Sequence, residues 1–330
     1  MKIVVYGLGN RGYRFIRDIM EILPEIEIVA VTDTYMQKSE SKKYADIPYI
    51  SPGCIQKYEY DYIIVTPENF YQEITSTLLD KGVDQRKIKS LEEFQKNRKK
   101  FYCNICESKI FAWEYIGEDY EIFQNKSIAG AGKRRGGCTV CGSYDRARFV
   151  YDIMKNFTEI FSGNADGILH FAPESTISNK LKKKYGEQYI SADIMEGRAD
   201  VVADITKLQF DNEQFEYIIY NHVMEHVYEE KKAFEEIRRC LKPEGVFIFS
   251  SPICWSQKTY ENNNAITARD RIKYYGQEDH VRLYGNDIVD RIEEYGFDVN
   301  LMHCSEIKSE DKIKKFGFLK DDSVLLCRKN

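Results

Sequence analysis

Four of the nine cysteines in this 330-residue chain fall in two Cys-x-x-Cys pairs, Cys103-Asn104-Ile105-Cys106 and Cys138-Thr139-Val140-Cys141. Two such knuckles supply four thiolates, which close a tetrahedral Zn²⁺ site with no coordination position left open, so a zinc held there is structural. The 31 residues between the pairs exceed the usual ribbon spacing, and a redox dithiol or four unrelated thiols are the alternatives. The odd total argues against a disulfide scaffold. A second group of reactive residues, Asp193, Asn221-His222 and Ser251, stands at the ends of strand-like apolar runs. In open parallel sheets ligands bind outside the carboxyl ends of the strands, so these residues should converge on one crevice. Three histidines lie near it, and imidazole is the side chain suited to take a proton near neutral pH. As a general base His280 ranks first, because it sits in a polar loop leading to a helix; His222, at a strand end, is second and His226 third.

The elements that position these residues can be read from the apolar pattern. Tyr189–Ala192 runs into Asp193, and Phe215–Tyr220 is a continuous apolar run typical of a buried parallel strand. Val246–Phe249 is a third strand. Between the last two lies a helix with Phe234, Ile237 and Leu241 on one face, closed by the turn Lys242-Pro243-Glu244-Gly245. Further on, Ile288, Ile292 and Tyr295 mark a helix ended by Gly296, followed by a strand from Phe297 and a closing strand at Val324–Cys327.

The amino-terminal part repeats the theme. Lys2–Tyr6 reads as a strand rather than a signal peptide, Gly7-Leu8-Gly9-Asn10-Arg11-Gly12 as a GxGxxG turn, and Tyr13–Leu23 as a helix. A second strand, Ile26–Val31, ends at Thr32-Asp33; shorter ones follow near Pro48–Ile50 and at Tyr62–Thr66. Asp33 lies 21 residues past Gly12, close to dinucleotide-binding spacing. Gly7, Gly9 and Gly12 would let phosphate approach a helix N-terminus and Asp33 would take ribose hydroxyls, for a nucleotide, a nucleotide-sugar or NAD(P). A structural role, or one in forming a homo-oligomer, is the alternative. Residues 86–100 carry seven basic and two acidic side chains; they are a candidate hinge or short helix, and a solvated connector is the default reading.

The expected fold class is α/β, with two doubly wound Rossmann-like domains joined by a small zinc ribbon. The expected boundaries are 1–92, a basic linker at 93–100, the ribbon at 101–150 and the second α/β domain at 151–330. A net charge of −5 argues against wholesale electrostatic binding to nucleic acid. No apolar run approaches the ~20 residues of a membrane helix, so the expectation is a soluble, cytoplasmic protein with no membrane insertion.

The block Tyr189–Pro252 resembles class I S-adenosylmethionine-dependent methyltransferases, through Asp193, the segment Ala203-Asp204-Ile205-Thr206, Asn221-His222-Val223-Met224-Glu225-His226-Val227 and Leu241-Lys242-Pro243-Glu244-Gly245. Cys141-Gly142-Ser143-Tyr144-Asp145-Arg146-Ala147-Arg148 is similar to the CGSxxRxR element of zinc-ribbon methyltransferases. Leu169-His170-Phe171-Ala172-Pro173-Glu174 is similar to the LHxAPE form that this family has where most class I enzymes carry an acidic residue and a GxG loop. The resemblance implies that Asp193 holds the two ribose hydroxyls of the cofactor and that Asp204 and Ile205 flank the adenine. It also places His170, Ala172, Pro173, Glu174, Asn221 and His222 near the cofactor. KIVVYGLGNRG and DYIIVTPENFYQEI look like the small Rossmann-like modules of bacterial surface-polysaccharide enzymes.

Arg146 and Arg148, within a stretch of six basic residues and one acid between Lys126 and Arg148, could grip a phosphate-bearing substrate, or could brace the domain. Arg282, in the loop of His280, is a third substrate candidate. The expected activity is O-methylation of a small-molecule or glycan precursor, namely a sugar, a nucleotide-sugar or a surface-polysaccharide precursor. An RNA methyltransferase gripping its substrate through the ribbon, and a non-catalytic cofactor-binding scaffold, are the alternatives.

Overall fold

The computed structural model describes residues 1–34, 42–44 and 46–329, and the chain forms two compact units, Met1–Lys100 and Phe101–Asn330. In the first unit β1 (Lys2–Tyr6), β2 (Glu27–Thr32), β3 (Lys42–Tyr44), β4 (Ile47–Ile50), β5 (Tyr62–Val65) and β6 (Ile88–Ser90) build a sheet of order β3-β4-β2-β1-β5-β6. Only the β3–β4 pairing is antiparallel. Helix α1 (Asn10–Ile22) buries Phe15 and Ile19, and α2 (Tyr71–Asp80) sets Ile74 and Leu78 against Val4, Ile63 and Val65.

In the segment expected as a basic connector, the short-helix alternative is the one present. It contains α3 (Leu91–Lys96), capped by Ser90, whose hydroxyl accepts the Glu93 amide at 3.0 Å. Leu91 and Phe94 are buried, and Phe94 meets Phe15 edge-on with centroids 5.5 Å apart. Three residues apart, the two apolar side chains share a helix face, so the charges occupy the outside of a packed element.

The second unit begins with two short antiparallel pairs, β7 (Phe101–Cys103) with β8 (Ser108–Ile110), and β9 (Glu114–Ile116) with β10 (Arg134–Gly137). Between β9 and β10 lies α4 (Glu121–Asn125). Helix α5 (Asp145–Phe157) then leads to β11 (Ile168–Phe171), α6 (Ser175–Tyr185), β12 (Tyr189–Asp193), β13 (Val201–Val202), β14 (Phe215–Asn221), α7 (Glu230–Cys240) and β15 (Leu241–Ser250). After β16 (Ile253–Cys254), α8 (Ala268–Tyr275), β17 (Tyr284–Gly285) and α9 (Ile288–Glu293) come β18 (Phe297–His303), α10 (Cys304–Ile307), α11 (Glu310–Phe316) and β19 (Ser323–Lys329).

The main sheet has the order β13-β12-β11-β14-β15-β19-β18, parallel up to β15 and closed by the antiparallel β19–β18 hairpin. Lys242–Gly245, expected as a turn, lies inside β15. It is accommodated as a register shift, Phe215 pairing Leu241 and Tyr217 pairing Val246, with Glu244 at φ +62°.

Alternation along the strands makes both sheet faces apolar. Leu169, Ile218, Phe247 and Leu325 pack against α7 and α9. Ile168, Ile219, Ile248 and Leu326 face α5 and α6, and the cluster they form also contains Cys103, Ile105, Ile110, Trp113 and Cys138. The two knuckles therefore share the core of the sheet.

Arg148 fixes this arrangement. It is fully buried, with its guanidinium 3.8 Å over the Trp113 ring. It donates to the carbonyls of Gly136, Ser143, Phe316 and Gly317 at 2.8–2.9 Å. Arg148→Ala would leave these acceptors unpaired and should cost about 3 kcal/mol or more. The chain's two tryptophans, Trp113 and Trp255, both lie in the second unit, so denaturant unfolding followed by tryptophan fluorescence should show the midpoint falling.

Candidate functional site

The strand order turns at β11, which has β12 on one side and β14 on the other. A crevice opens at such a switch point, at the carboxyl ends of the strands. Two non-glycine residues there hold left-handed backbone, Ala172 just after β11 (φ +44°) and His222 just after β14 (φ +58°). Such residues cost about 1–3 kcal/mol each and persist where surrounding structure holds them. Ala172 thus adopts, without glycine, the conformation a glycine loop would supply.

A polar chain runs across the strand ends. His170 Nδ1 meets the Tyr189 hydroxyl at 3.0 Å and its Nε2 lies 3.3 Å from Glu174 Oε2. Glu174 Oε1 accepts from Asn221 Nδ2, and the Ser250 hydroxyl donates to Asn221 Oδ1. Burial pushes the Glu174 carboxyl up, but His170, a backbone amide and the Arg146 charge together hold the group below its ordinary value.

At the far end Asp193 closes β12 and accepts the Met195 amide at 2.8 Å. Beside it Ile194 and Met195 are 70% and 51% exposed, large apolar side chains left open next to a carboxylate. A carboxylate for a diol and apolar surface for an aromatic base suit an adenosyl group. Asp204 is exposed and binds the amide and hydroxyl of Thr206 at 2.8 and 2.7 Å, while Ile205 is buried.

A second polar chain lies beside the first. The Ser251 hydroxyl donates to Glu225 Oε2 at 2.9 Å, and Glu225 Oε1 lies 3.2 Å from His222 Nδ1. Burial pushes the Glu225 carboxyl up, but the neighbouring histidines, His222 first, hold it well below the carboxylate range. Burial and the Arg146 charge lower His222, and its Nε2 is buried without a partner among the described residues. His226 Nδ1 is 3.2 Å from Asp279 Oδ2, and the His226 and His280 rings meet edge-on at 4.7 Å. His280 is 4% exposed, and burial lowers it to about 4.

The roof of the crevice comes from between the knuckles. Ala129 donates its amide to the Ile253 carbonyl at 2.9 Å, and a side chain at Gly130 would sit 3.1 Å from His222 Cε1. Arg134 holds this loop: it donates to the carbonyls of Gly130 and Gly132 at 3.1 and 2.8 Å, and pairs with Asp145 at 2.6 and 2.8 Å. Under the loop is a cavity of about 380 Å³ lined by Gly130, Tyr120, Arg146, Pro252, Tyr275 and His280, among others. Larger depressions lie elsewhere; one of about 790 Å³, lined by Glu213, Arg238 and Lys329, is at the opposite ends of the parallel strands.

Of the residues that sequence reasoning put at one crevice, Asn221 lies on the first polar chain, beside Glu174, and His222 and Ser251 lie on the second, while Asp193 stands at the end of β12. Arg146 joins them. The other two arginines differ from expectation. Arg148 is committed to backbone carbonyls in the core, and Arg282, 4% exposed, is held by Glu261 at 2.7 Å and by the carbonyls of Met224, Val227 and Tyr228. Both are bracing residues, because a guanidinium buried among carbonyls has its donors spoken for. Glu225 and the loop around Gly130 were not foreseen. Their signals were the three-residue step from His222 to Glu225 and the glycines 130, 132, 136 and 137.

In the first unit Gly7 (φ +99°) and Gly12 are packing positions: a Cβ at Gly12 would lie 2.0 Å from the Gly7 carbonyl oxygen, whereas one at Gly9 would meet nothing within 4 Å. Asp33 Oδ2 accepts the Leu8 amide at 2.9 Å, so one carboxylate oxygen closes the glycine turn itself.

The four knuckle thiols converge. Cys103 and Cys141 sulfurs are 3.7 Å apart, those of Cys106 and Cys138 3.8 Å, and all four lie within 4.8 Å of one another. Tetrahedral Zn–S bonds of about 2.3 Å imply edges of about 3.8 Å, so the thiols fit the ion.

Residues 174–249 match a family model described as a methyltransferase domain, and residues 1–89 match one described as C2185-like, N-terminal. No curated protein matches the chain. Among solved structures, an S-adenosylmethionine-dependent methyltransferase from Mesorhizobium loti is 12% identical over 57% of this chain and 99% of its own, with a TM-score of 0.40. One from Archaeoglobus fulgidus is 19% identical over 57% and 95%, with a TM-score of 0.38. The [4+2]-cyclase SpnF is 12% identical over 57% and 83%, with a TM-score of 0.39. Among the described residues no helix is long and apolar enough to cross a membrane.

Asp322, buried just before β19, faces the charges that hold the roof. Burial first, then the Asp145 charge, pushes its carboxyl up to about 7, against the Ser323 amide, Arg134 and Arg146. The folded chain thus holds this proton more tightly than the unfolded chain, whose carboxyl titrates near ~3.9. The associated stability is fully present below that value and is lost as pH rises through about 7. Thermal melts should show Asp322→Asn gaining stability relative to wild type as pH is raised over this range; a pH-independent difference would mean that the carboxyl titrates normally.

Proposed function

We propose that residues 101–330 transfer a methyl group from S-adenosylmethionine to a hydroxyl of a sugar, nucleotide-sugar or related surface-polysaccharide precursor. The observation that supports this reading is the Glu174–Asn221 bond at the switch point of a seven-stranded sheet, with Asp193 at the end of the neighbouring strand β12, inside a segment matching a methyltransferase domain. Asp193 would take the ribose hydroxyls, Ile194 and Met195 would cover the adenine, and Glu174, steadied by His170 and Asn221, would face the amino-acid end. When bound, the cofactor supplies an electrophilic methyl group, so the protein has only to align a nucleophile and exclude water.

The loop at Gly130 excludes water from His222, and Glu225 fixes that ring with Nε2 free to receive the acceptor's proton. This moves the base from His280 to His222, because His280 lies among other imidazoles while His222 is oriented by a carboxylate. The cavity of about 380 Å³ is at the small end for a ligand site, which supports a compact acceptor, and Arg146 on its wall supports an anionic one. Cys103, Cys106, Cys138 and Cys141 would hold a structural Zn²⁺ that ties down both ends of the roof.

Asp193→Ala should weaken S-adenosylmethionine binding by about 1.5–3 kcal/mol, a ten- to hundredfold change. His222→Ala should leave that affinity nearly unchanged and lower turnover about 10²–10⁴-fold. Titration calorimetry reads the first, and S-adenosylhomocysteine release with nucleotide-sugars as acceptors reads the second. Unchanged affinity in Asp193→Ala would remove the cofactor from this crevice.

A further inference from the structure

We propose that Glu225, His226 and His280 form a second metal site, separate from the thiol cluster, for a first-row divalent transition-metal ion. One ligand atom from each of the three lies within 4.8 Å of the others. Ligands about 2.1 Å from a common ion stand about 3 to 4 Å apart, so small ring rotations close the site.

Three contacts point the same way. His280 is 4% exposed, yet among the described residues its buried Nδ1 has no partner, and a polar atom left so is costly unless something fills the gap. Asp279 Oδ2 lies 3.2 Å from His226 Nδ1, the carboxylate–imidazole pairing that orients a metal-binding histidine and leaves its Nε2 as the donor. Glu225 is 1% exposed, and its carboxylate is steadied by the Ser251 hydroxyl at 2.9 Å, as ligating carboxylates are.

Two imidazole nitrogens and one carboxylate oxygen select a transition ion over Mg²⁺ or Ca²⁺, which take oxygen ligands. His280 also lines the cavity of about 380 Å³, so the ion would stand where it can hold an oxygen of a bound small molecule. The site shares Glu225 with the proposed His222 pair, but cobalt binding reads it apart from methyl transfer.

The test adds Co²⁺ to full-length protein whose thiol cluster is already loaded with zinc, so that new visible absorption without thiolate-to-cobalt charge transfer reports nitrogen and oxygen ligation. Wild type should bind one Co²⁺ per chain. His226→Gln should abolish binding, and Asp279→Asn should weaken it about 10–100-fold. Both side chains are partly exposed, at 30% and 59%, so the fold should survive, which circular dichroism checks. No cobalt bound beyond the thiol site, or equal binding in wild type and both variants, would overturn the proposal and leave water as the partner of His280.

Discussion

The bidentate pair of Arg134 with Asp145 is the interaction on which the site depends. Asp145 opens α5 with its carboxylate wholly buried, and Arg134 spends its remaining donors on the carbonyls of Gly130 and Gly132. A charge-assisted fork of this kind fixes direction as well as distance, and breaking a buried pair from one side leaves an uncompensated charge worth about 3–5 kcal/mol. The pair therefore converts a glycine-containing loop, which would otherwise be free to move, into a fixed roof over His222.

The same logic explains why the knuckles share a core with the sheet. A roof is only as well placed as its two ends, and these ends are the thiol cluster and β10. Trp113, Cys103 and Cys138 join the apolar cluster of α5 and the sheet, while Arg148 ties β10 and the Ser143 turn to Phe316 and Gly317. A metal held by the thiols would thus be coupled to the geometry of a crevice built from other residues.

Much of the site was legible because buried parallel strands announce themselves as apolar runs, and the residues just after such a run must lie at a strand end. That logic located Asp193, Asn221, His222 and Ser251. It could not grade arginines by burial: Arg146 and Arg148 are two residues apart, yet one lines the cavity and the other is sealed under Trp113. Nor did it separate charge from packing in 86–100, where Leu91 and Phe94 carry a helix into the core. The loop between the knuckles was opaque because its glycines matter through what they approach, His222 and Asp145, and those partners are distant in sequence. The helices α10 and α11 inserted before β19 were missed for the same reason: the end of α11 meets Arg148 through the Phe316 and Gly317 carbonyls.

The central claim is that one cofactor binds across the ends of β11, β12 and β14 beneath the roof. Hydrogen–deuterium exchange with and without S-adenosylmethionine tests it directly, because each strand end reports separately. The account predicts slowed exchange at 171–174, 191–195, 203–206 and 220–226 on adding the cofactor. No protection in these segments, or protection confined to the glycine turn at 7–12, would contradict it.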